Sequence, residues 1–226
     1  MSLLEPLSPS VRPTEAQERA LRRRARRSER SLSDEARFFT TWLRRPLTMG
    51  AVSPSSRQLG ETMAAYVPDP SGFGETSLVM ELGPGTGVVT ECLIARGVPE
   101  DKLVLVEYSA EFCALLRLRF PRATVVQGDA YAIAADVRSV IGPARLEAVV
   151  SGLPLLTKPD AVREEVVSRC LSAMEPGAPF IQFSYSLTLP VKPGEIGASV
   201  ETSGWIKRNL PPARVIAYRR ASGGTA

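Results

Sequence analysis

Two acids and three glycines at fixed spacing are the residues in this chain best placed to do chemistry. Glu81 stands near the end of the apolar run 77–82, and Gly83, Gly85 and Gly87 follow it at alternate positions. Glycines so spaced let the backbone turn sharply and keep side chains out of the way of a ligand. Glu107 lies 20 residues beyond Gly87, at the end of a second apolar run. A carboxylate in that place suits ribose hydroxyls. Gly128, Asp129 and Ala130 follow a third apolar run. The spacing departs from the dinucleotide fingerprint G-x-G-x-x-G, because Val88 stands where its last glycine belongs, and no Gly-x-x-x-x-Gly-Lys phosphate loop occurs.

These residues work together only if secondary structure brings them to one edge. Apolar runs over 77–82, 102–107, 123–127, 146–151 and 178–185 predict strands, and 88–96, 109–119, 130–140 and 158–174 predict the helices between them. This alternation predicts a parallel sheet with helices on both faces. Glu81, Glu107 and Asp129 then fall where successive strands end, the edge at which open α/β sheets bind ligands. A purely structural turn is the competing reading for the glycines alone, and acids recurring at three strand ends argue against it. Trp205 to Asn209 and Arg214 to Tyr218 flank Leu-Pro-Pro and predict a closing antiparallel hairpin. Ser53, followed by Pro54, is the expected start of a short helix reaching Tyr66. Upstream, 14–45 reads as one long helix, capped by Thr14 and ended by Pro46. The expected organisation is a basic segment over 1–50, the α/β domain over 51–220 and a disordered tail over 221–226.

Composition narrows the chemistry. The 226 residues include no histidine, so His-dependent triads and His-ligated metal sites are excluded. No metal-ligand spacing occurs, and no metal is expected. A departing proton must go to a carboxylate, a tyrosine, a lysine or water. Cys92, Cys113 and Cys170 fall in predicted helices and read as reduced core residues of a cytosolic protein. No apolar run approaches the roughly 18 residues of a membrane span, and the start lacks the order of a secretory signal. The net charge is +4 and unevenly placed. Residues 1–50 carry eleven arginines and six acids, against seventeen basic and eighteen acidic residues in the remainder. An excess confined to one segment points to a polyanionic partner there.

The strand ending in Glu81-Leu-Gly83-Pro-Gly85-Thr-Gly87, the acid after the second strand and Gly128-Asp129-Ala130 after the third together resemble the class I methyltransferases that use S-adenosylmethionine. The resemblance covers 77–220. It implies a Rossmann-like parallel sheet with a C-terminal antiparallel hairpin. It also implies that the backbone around Gly83, Gly85 and Gly87 holds the methionine part of the cofactor. Glu81 would orient that loop or reach the ammonium, Glu107 would take the ribose hydroxyls, and Asp129 with Ala130 the adenine amine. S-adenosylhomocysteine would be the product.

A narrower resemblance lies in two places. One is 38–56, running from Phe38-Phe39 through Trp42, Pro46 and Gly50 to Ser53-Pro54-Ser55-Ser56. The other is Ser151-Gly152-Leu153-Pro154-Leu155-Leu156 after the fourth strand. Both resemble the bacterial phospholipid N-methyltransferases, which convert phosphatidylethanolamine stepwise to phosphatidylcholine. The likeness implies that Ser53, Ser55, Ser56 and Ser151 lie beside the cofactor, and that Ser151, Gly152, Leu153 and Pro154 line the methyl-transfer site. The related ribosomal RNA adenine dimethyltransferases carry Asn-Leu-Pro-aromatic at that point, the Asn for the target amine and the ring for the flipped base. Here the Asn and the ring are both missing, and a flipped base would lose stacking worth roughly 1–3 kcal/mol. No nucleic-acid partner is expected.

In the upstream helix Leu21, Ala25, Ser28, Leu32, Ala36, Phe39 and Leu43 share one face, widened by Phe38 and Trp42. Arg22, Arg23, Arg26, Arg27 and Arg30 lie on most of the rest. Such a helix suits an anionic membrane surface, where each basic residue contributes about 1 kcal/mol. Docking on the protein's own sheet, or on RNA, are its other possible uses. Tyr185, at the end of the fifth strand, is the candidate to orient the amine and to hold a methylated ammonium by cation–π attraction, with Tyr66 and Tyr108 behind it. The expectation is therefore a monomeric, cytoplasmic enzyme, peripheral on the inner face of the membrane, that methylates phosphatidylethanolamine and its mono- and dimethyl derivatives. Another amino lipid, such as an ornithine lipid, fits the same residues. An RNA adenine N-methyltransferase, or a non-catalytic membrane- or nucleic-acid-binding module retaining the fold, are the rival readings.

Overall fold

The computed structural model of the chain describes residues 56–220, apart from the side chain of Ala135. The helix expected over 14–45 with its arginines and aromatic residues, Ser53, Ser55 and the tail over 221–226 lie outside the described residues.

Seven strands form one sheet: β1 (Ser77–Leu82), β2 (Leu103–Glu107), β3 (Thr124–Gln127), β4 (Arg145–Ser151), β5 (Pro179–Ser184), β6 (Ala198–Thr202) and β7 (Arg214–Arg220). Their order is β3-β2-β1-β4-β5-β7-β6. The first five strands are parallel, and β7 runs antiparallel between β5 and β6. Among the described residues six α-helices accompany them: α1 (Arg57–Ala65), α2 (Val88–Ala95), α3 (Ala110–Arg119), α4 (Ala130–Ala135), α5 (Val137–Ile141) and α6 (Asp160–Ala173). The central strands are covered on both faces, which is why their sequences run apolar without a break. On one face Val79, Leu105 and Ile181 pack with Leu59 and Met63 of α1, Leu93 of α2 and Leu116 of α3. On the other, Met80, Val106 and Phe180 meet Ala134 of α4, Val137 of α5 and Val167 of α6. Burying each large aliphatic side chain stabilises the fold by roughly 1.5–3 kcal/mol, so the strand ends are held firmly.

Three boundaries differ from expectation. The strand paired with β7 is Ala198–Thr202, and Trp205 to Asn209 form a turn whose Ile206 makes a single bridge to Ala213. The helix expected over 130–140 is split at Asp136, whose side chain accepts from the Ser139 N–H and starts a new helix. The helix before the sheet is capped by Ser56, whose hydroxyl accepts from the Leu59 N–H at 3.2 Å. Cys92, Cys113 and Cys170 are unpaired and buried, and burial pushes the Cys170 thiol up to about 12. Among the described residues, no helix is long and apolar enough to cross a membrane.

Candidate functional site

The turn between β1 and α2 is built by its three glycines in three different ways. All three have left-handed backbone, with φ of 71°, 55° and 86° at Gly83, Gly85 and Gly87. Gly83 lies against Leu153, whose Cδ2 stands 3.3 Å from where a Cβ on Gly83 would sit. Gly85 donates its N–H to Glu107 Oε2 at 3.0 Å. Gly87 packs on α3, where an added Cβ would come within 2.6 Å of the Phe120 ring. The N–H groups of Gly83 and Gly87 go to Val106 and Pro84 carbonyls, both at 2.9 Å. The donors of all three glycines are thus used within the protein. What the turn can still offer a ligand ammonium is carbonyl oxygen, and that is what a cation requires. Arg119, at the end of α3, steadies the turn by donating to the Thr86 carbonyl and to Glu91.

The acids occupy distinct environments. Strand alternation turns Glu81 to the same face as Val79, towards α2. It is 2% exposed and accepts from the Thr90 hydroxyl at 2.7 Å. Burial, with a smaller push from the Glu107 charge, raises its carboxyl to about 7 against the opposing Thr90 hydrogen bond. Through this bond Glu81 fastens α2 to β1. Glu107 accepts from the Gly85 N–H with one oxygen and from the Ser109 N–H, at 2.8 Å, with the other. A carboxylate has about four acceptor positions, so two remain for a diol. Asp129 caps α4, accepting from the Tyr131 N–H at 2.9 Å, and is exposed at the end of β3, with Ala130 buried behind it. The Gly128 N–H donates to the Glu107 carbonyl at 3.0 Å, which joins the ends of β2 and β3. Two acids on adjacent strand ends, beside a turn rich in backbone carbonyls, form a cradle that fits an adenosyl group carrying an ammonium. Among the described residues no cluster of His, Cys, Asp and Glu side chains could hold a metal ion.

The loop after β4 lies directly against the glycine turn. The Gly152 N–H donates to the Leu82 carbonyl at 2.8 Å, and a Cβ on Gly152 would meet the Gly83 carbonyl oxygen at 2.6 Å. Ser151 is fully buried, and its hydroxyl accepts from the Leu153 N–H at 3.3 Å. That hydroxyl shapes the loop. The Leu153 carbonyl accepts twice, from the Leu155 N–H at 2.8 Å and from Gln182 Nε2 at 3.0 Å. Gln182 was not anticipated from the sequence. Its signal is an amide inside Pro179-Phe-Ile-Gln182-Phe-Ser184, an otherwise apolar strand. Pro154 is half-buried, with Leu155 and Leu156 buried beyond it. Tyr185 follows β5 and sits edge-on to Phe183 with ring centres 5.4 Å apart. It packs against the α1–α3 face, and Leu153 belongs to the core cluster of the other face. The Ser56 N–H donates to Asn209 Oδ1 at 2.8 Å on the β6–β7 connection. Tyr66 packs beside the same core cluster as Tyr185, and Tyr108 is 78% exposed just beyond Glu107.

The strand order, the reversed β7, the glycine turn after β1 and the acids ending β1 and β2 define a class I methyltransferase fold. No family model matches the chain. An ornithine lipid N-methyltransferase of Singulisphaera acidiphila is 26% identical over 182 residues, spanning 78% of this chain and 91% of that protein. A ribosomal RNA small subunit methyltransferase A of a Synechococcus species is 36% identical over 96 residues, which is 41% of this chain and 30% of that protein. Among solved structures, a magnesium protoporphyrin IX methyltransferase from Synechocystis, determined with bound SAM, superposes with a TM-score of 0.53 at 14% identity over 73% of this chain and 79% of its own. A SAM dependent methyltransferase from Archaeoglobus fulgidus gives 0.51 at 16% identity, covering 73% and 95%.

Proposed function

We propose that this chain is an S-adenosylmethionine-dependent N-methyltransferase of a membrane amino lipid, with phosphatidylethanolamine and its mono- and dimethyl derivatives as substrates. The observation that carries the reading is the loop after β4, Ser151 to Leu155. It packs on the glycine turn where methyl transfer would occur, yet offers neither a side-chain amide nor an aromatic ring for a nucleobase. Likeness to an ornithine lipid N-methyltransferase over most of the chain supports the lipid class. The likeness of 38–56 and 151–156 to phospholipid N-methyltransferases supports the choice of phosphatidylethanolamine.

S-adenosylmethionine supplies a methyl group on an already activated sulfonium. The protein's part is to bind, orient and exclude water. Glu107 holds the ribose hydroxyls with its two remaining acceptor positions. Asp129 receives the adenine amine, and the exposed Tyr108 ring offers an apolar face beside it. The carbonyls of the glycine turn take the ammonium. Leu153, Pro154 and Gly152 wall the transfer site, and with the Leu153 carbonyl doubly occupied they present a largely apolar surface. Tyr185 orients the lipid amine, which must attack as the neutral base; its proton leaves to water or to a phenolate. The arginines of 22–30, with Phe38, Phe39 and Trp42, bind the anionic surface from which the lipid is drawn.

The test is mass spectrometry after incubating the full chain with S-adenosylmethionine and three acceptors: phosphatidylethanolamine vesicles, ornithine lipid vesicles and ribosomal RNA. Successive methyl additions on phosphatidylethanolamine are expected. Methylation of ornithine lipid alone keeps the class and replaces the substrate. The 96-residue likeness to a ribosomal RNA methyltransferase favours RNA as the rival, and methyl groups on RNA but on neither lipid would overturn the proposal.

A further inference from the structure

Of the large apolar side chains exposed among the described residues, three gather at one end of the sheet. They are Leu187 at 82%, Trp205 at 39% and Leu210 at 72% exposed. Single exposed apolar residues are ordinary. Here topology groups them. β5 and β6 end, and β7 begins, at the carboxyl edge of the sheet, so the chain after β5 and the β6–β7 connection both emerge beside the candidate site. Arg214 ties them together, because its Nη2 donates to the Leu187 carbonyl at 2.7 Å while its guanidinium lies 5.5 Å from the centre of the Trp205 ring.

The β6–β7 connection is firmly built. Ile206 and Ala213 exchange backbone hydrogen bonds at 2.7 and 3.4 Å. Asn209, 1% exposed, receives the Ser56 N–H and donates to the Pro211 carbonyl at 2.8 Å. With Ile206, Asn209 and Ala213 turned inward, Trp205, Lys207, Arg208 and Leu210 are left facing solvent. Charge follows the same pattern. Residues 203–214 include three basic side chains and no acid, and 185–192 include one lysine and no acid. Apolar tips with an interfacial tryptophan, on segments that carry basic side chains and no acid, complement an anionic bilayer.

We propose that Leu187, Trp205, Lys207, Arg208 and Leu210 form a second membrane contact, carried by the α/β domain itself, that seats the mouth of the site on an anionic lipid surface. Its purpose rests on the lipid methyltransferase reading; its existence does not. Two modest contacts in one chain reinforce each other through effective concentration, so neither needs to be strong alone. The contact also fixes the orientation of the α/β domain on the surface.

The chain contains two tryptophans, Trp42 and Trp205. In full-length W42F, Trp205 is therefore the sole tryptophan reporter. Titration with phosphatidylglycerol–phosphatidylethanolamine vesicles is expected to shift its emission to the blue and to allow quenching by brominated acyl chains, with little response to pure phosphatidylcholine vesicles. K207Q/R208Q in the same background should weaken that response about 30-fold, since each basic residue near such a surface contributes about fivefold, while S-adenosylmethionine affinity stays within about twofold. Trp205 emission that stays unchanged while the protein sediments with vesicles overturns the proposal, as does a failure to sediment at all. Vesicle contact without lipid methylation would remove the proposed reaction and leave this surface standing. Methylation with a silent Trp205 would do the reverse.

Discussion

Burial gives Glu81 a conflict between its charge and its surroundings. Its ordinary value is near 4.5 and the fold raises it to about 7, so the folded state binds the proton more tightly than the unfolded chain. Stability from this group is therefore fully present below about pH 4.5 and declines as pH rises towards 7, by roughly 3 kcal/mol at most. Glu81→Gln keeps an acceptor for the Thr90 hydroxyl and cannot ionise. At pH 8 the variant should melt roughly 5 °C or more above the parent, and at pH 4.5 the two should coincide, read by thermal unfolding across that range. Equal melting temperatures at both pH values would mean that the Glu81 carboxylate is solvated or paired in solution. The acid that ends β1 and the acid that ends β2 thus do different work. Glu81 accepts from Thr90 of α2, and Glu107, bonded to two backbone N–H groups, keeps acceptor positions open.

At the scale of elements, the site depends on two loops meeting backbone to backbone. Gly152 has ordinary backbone angles, so glycine is required there by the Gly83 carbonyl, not by conformation. Gly152→Ala must push the β4 loop off the glycine turn, and overpacking of this kind costs about 1–3 kcal/mol. Calorimetry should show a lower melting temperature together with weaker S-adenosylmethionine binding; a stable variant with parental affinity would show that the loops part freely. The strands and helices around this contact were legible because buried parallel strands read as apolar runs bounded by Gly, Asp and Glu. β6 was not legible. Ala198-Ser-Val-Glu-Thr202 is an edge strand with mostly exposed side chains, whereas the bulkier Trp205–Asn209 imitates a strand while bending round Asn209. The break at Asp136 was hidden because a single cap residue interrupts a stretch otherwise rich in alanine, valine and isoleucine. Three strand-end acids and the glycine turn marked the site, but which acid faces a ligand depends on strand facing. The role of Gln182 depends on a carbonyl in another loop, and no local pattern contains either fact.

On the proposed reading, the whole molecule separates collecting a lipid from methylating it. The arginines in 22–30 and the basic β6–β7 connection would act at a distance on a charged surface, whereas the chemistry would move a methyl group from a bound sulfonium to a neutral amine and leave the thioether behind. Salt should distinguish the two. Raising ionic strength from about 0.01 to 1 M shortens the screening length from about 30 to about 3 Å. Methyl transfer to phosphatidylethanolamine in anionic vesicles should then fall by tenfold or more at limiting lipid. Transfer to a short-chain, monomeric phosphatidylethanolamine should change by less than about twofold, because no charged surface has to be found. Initial rates with radiolabelled S-adenosylmethionine measure both. A comparable fall for the monomeric lipid would place the salt-sensitive step inside the crevice, where the cofactor's own ammonium and carboxylate are held, and would take the membrane out of the explanation. A fall confined to vesicles would mean that the protein's surface charge governs access to substrate.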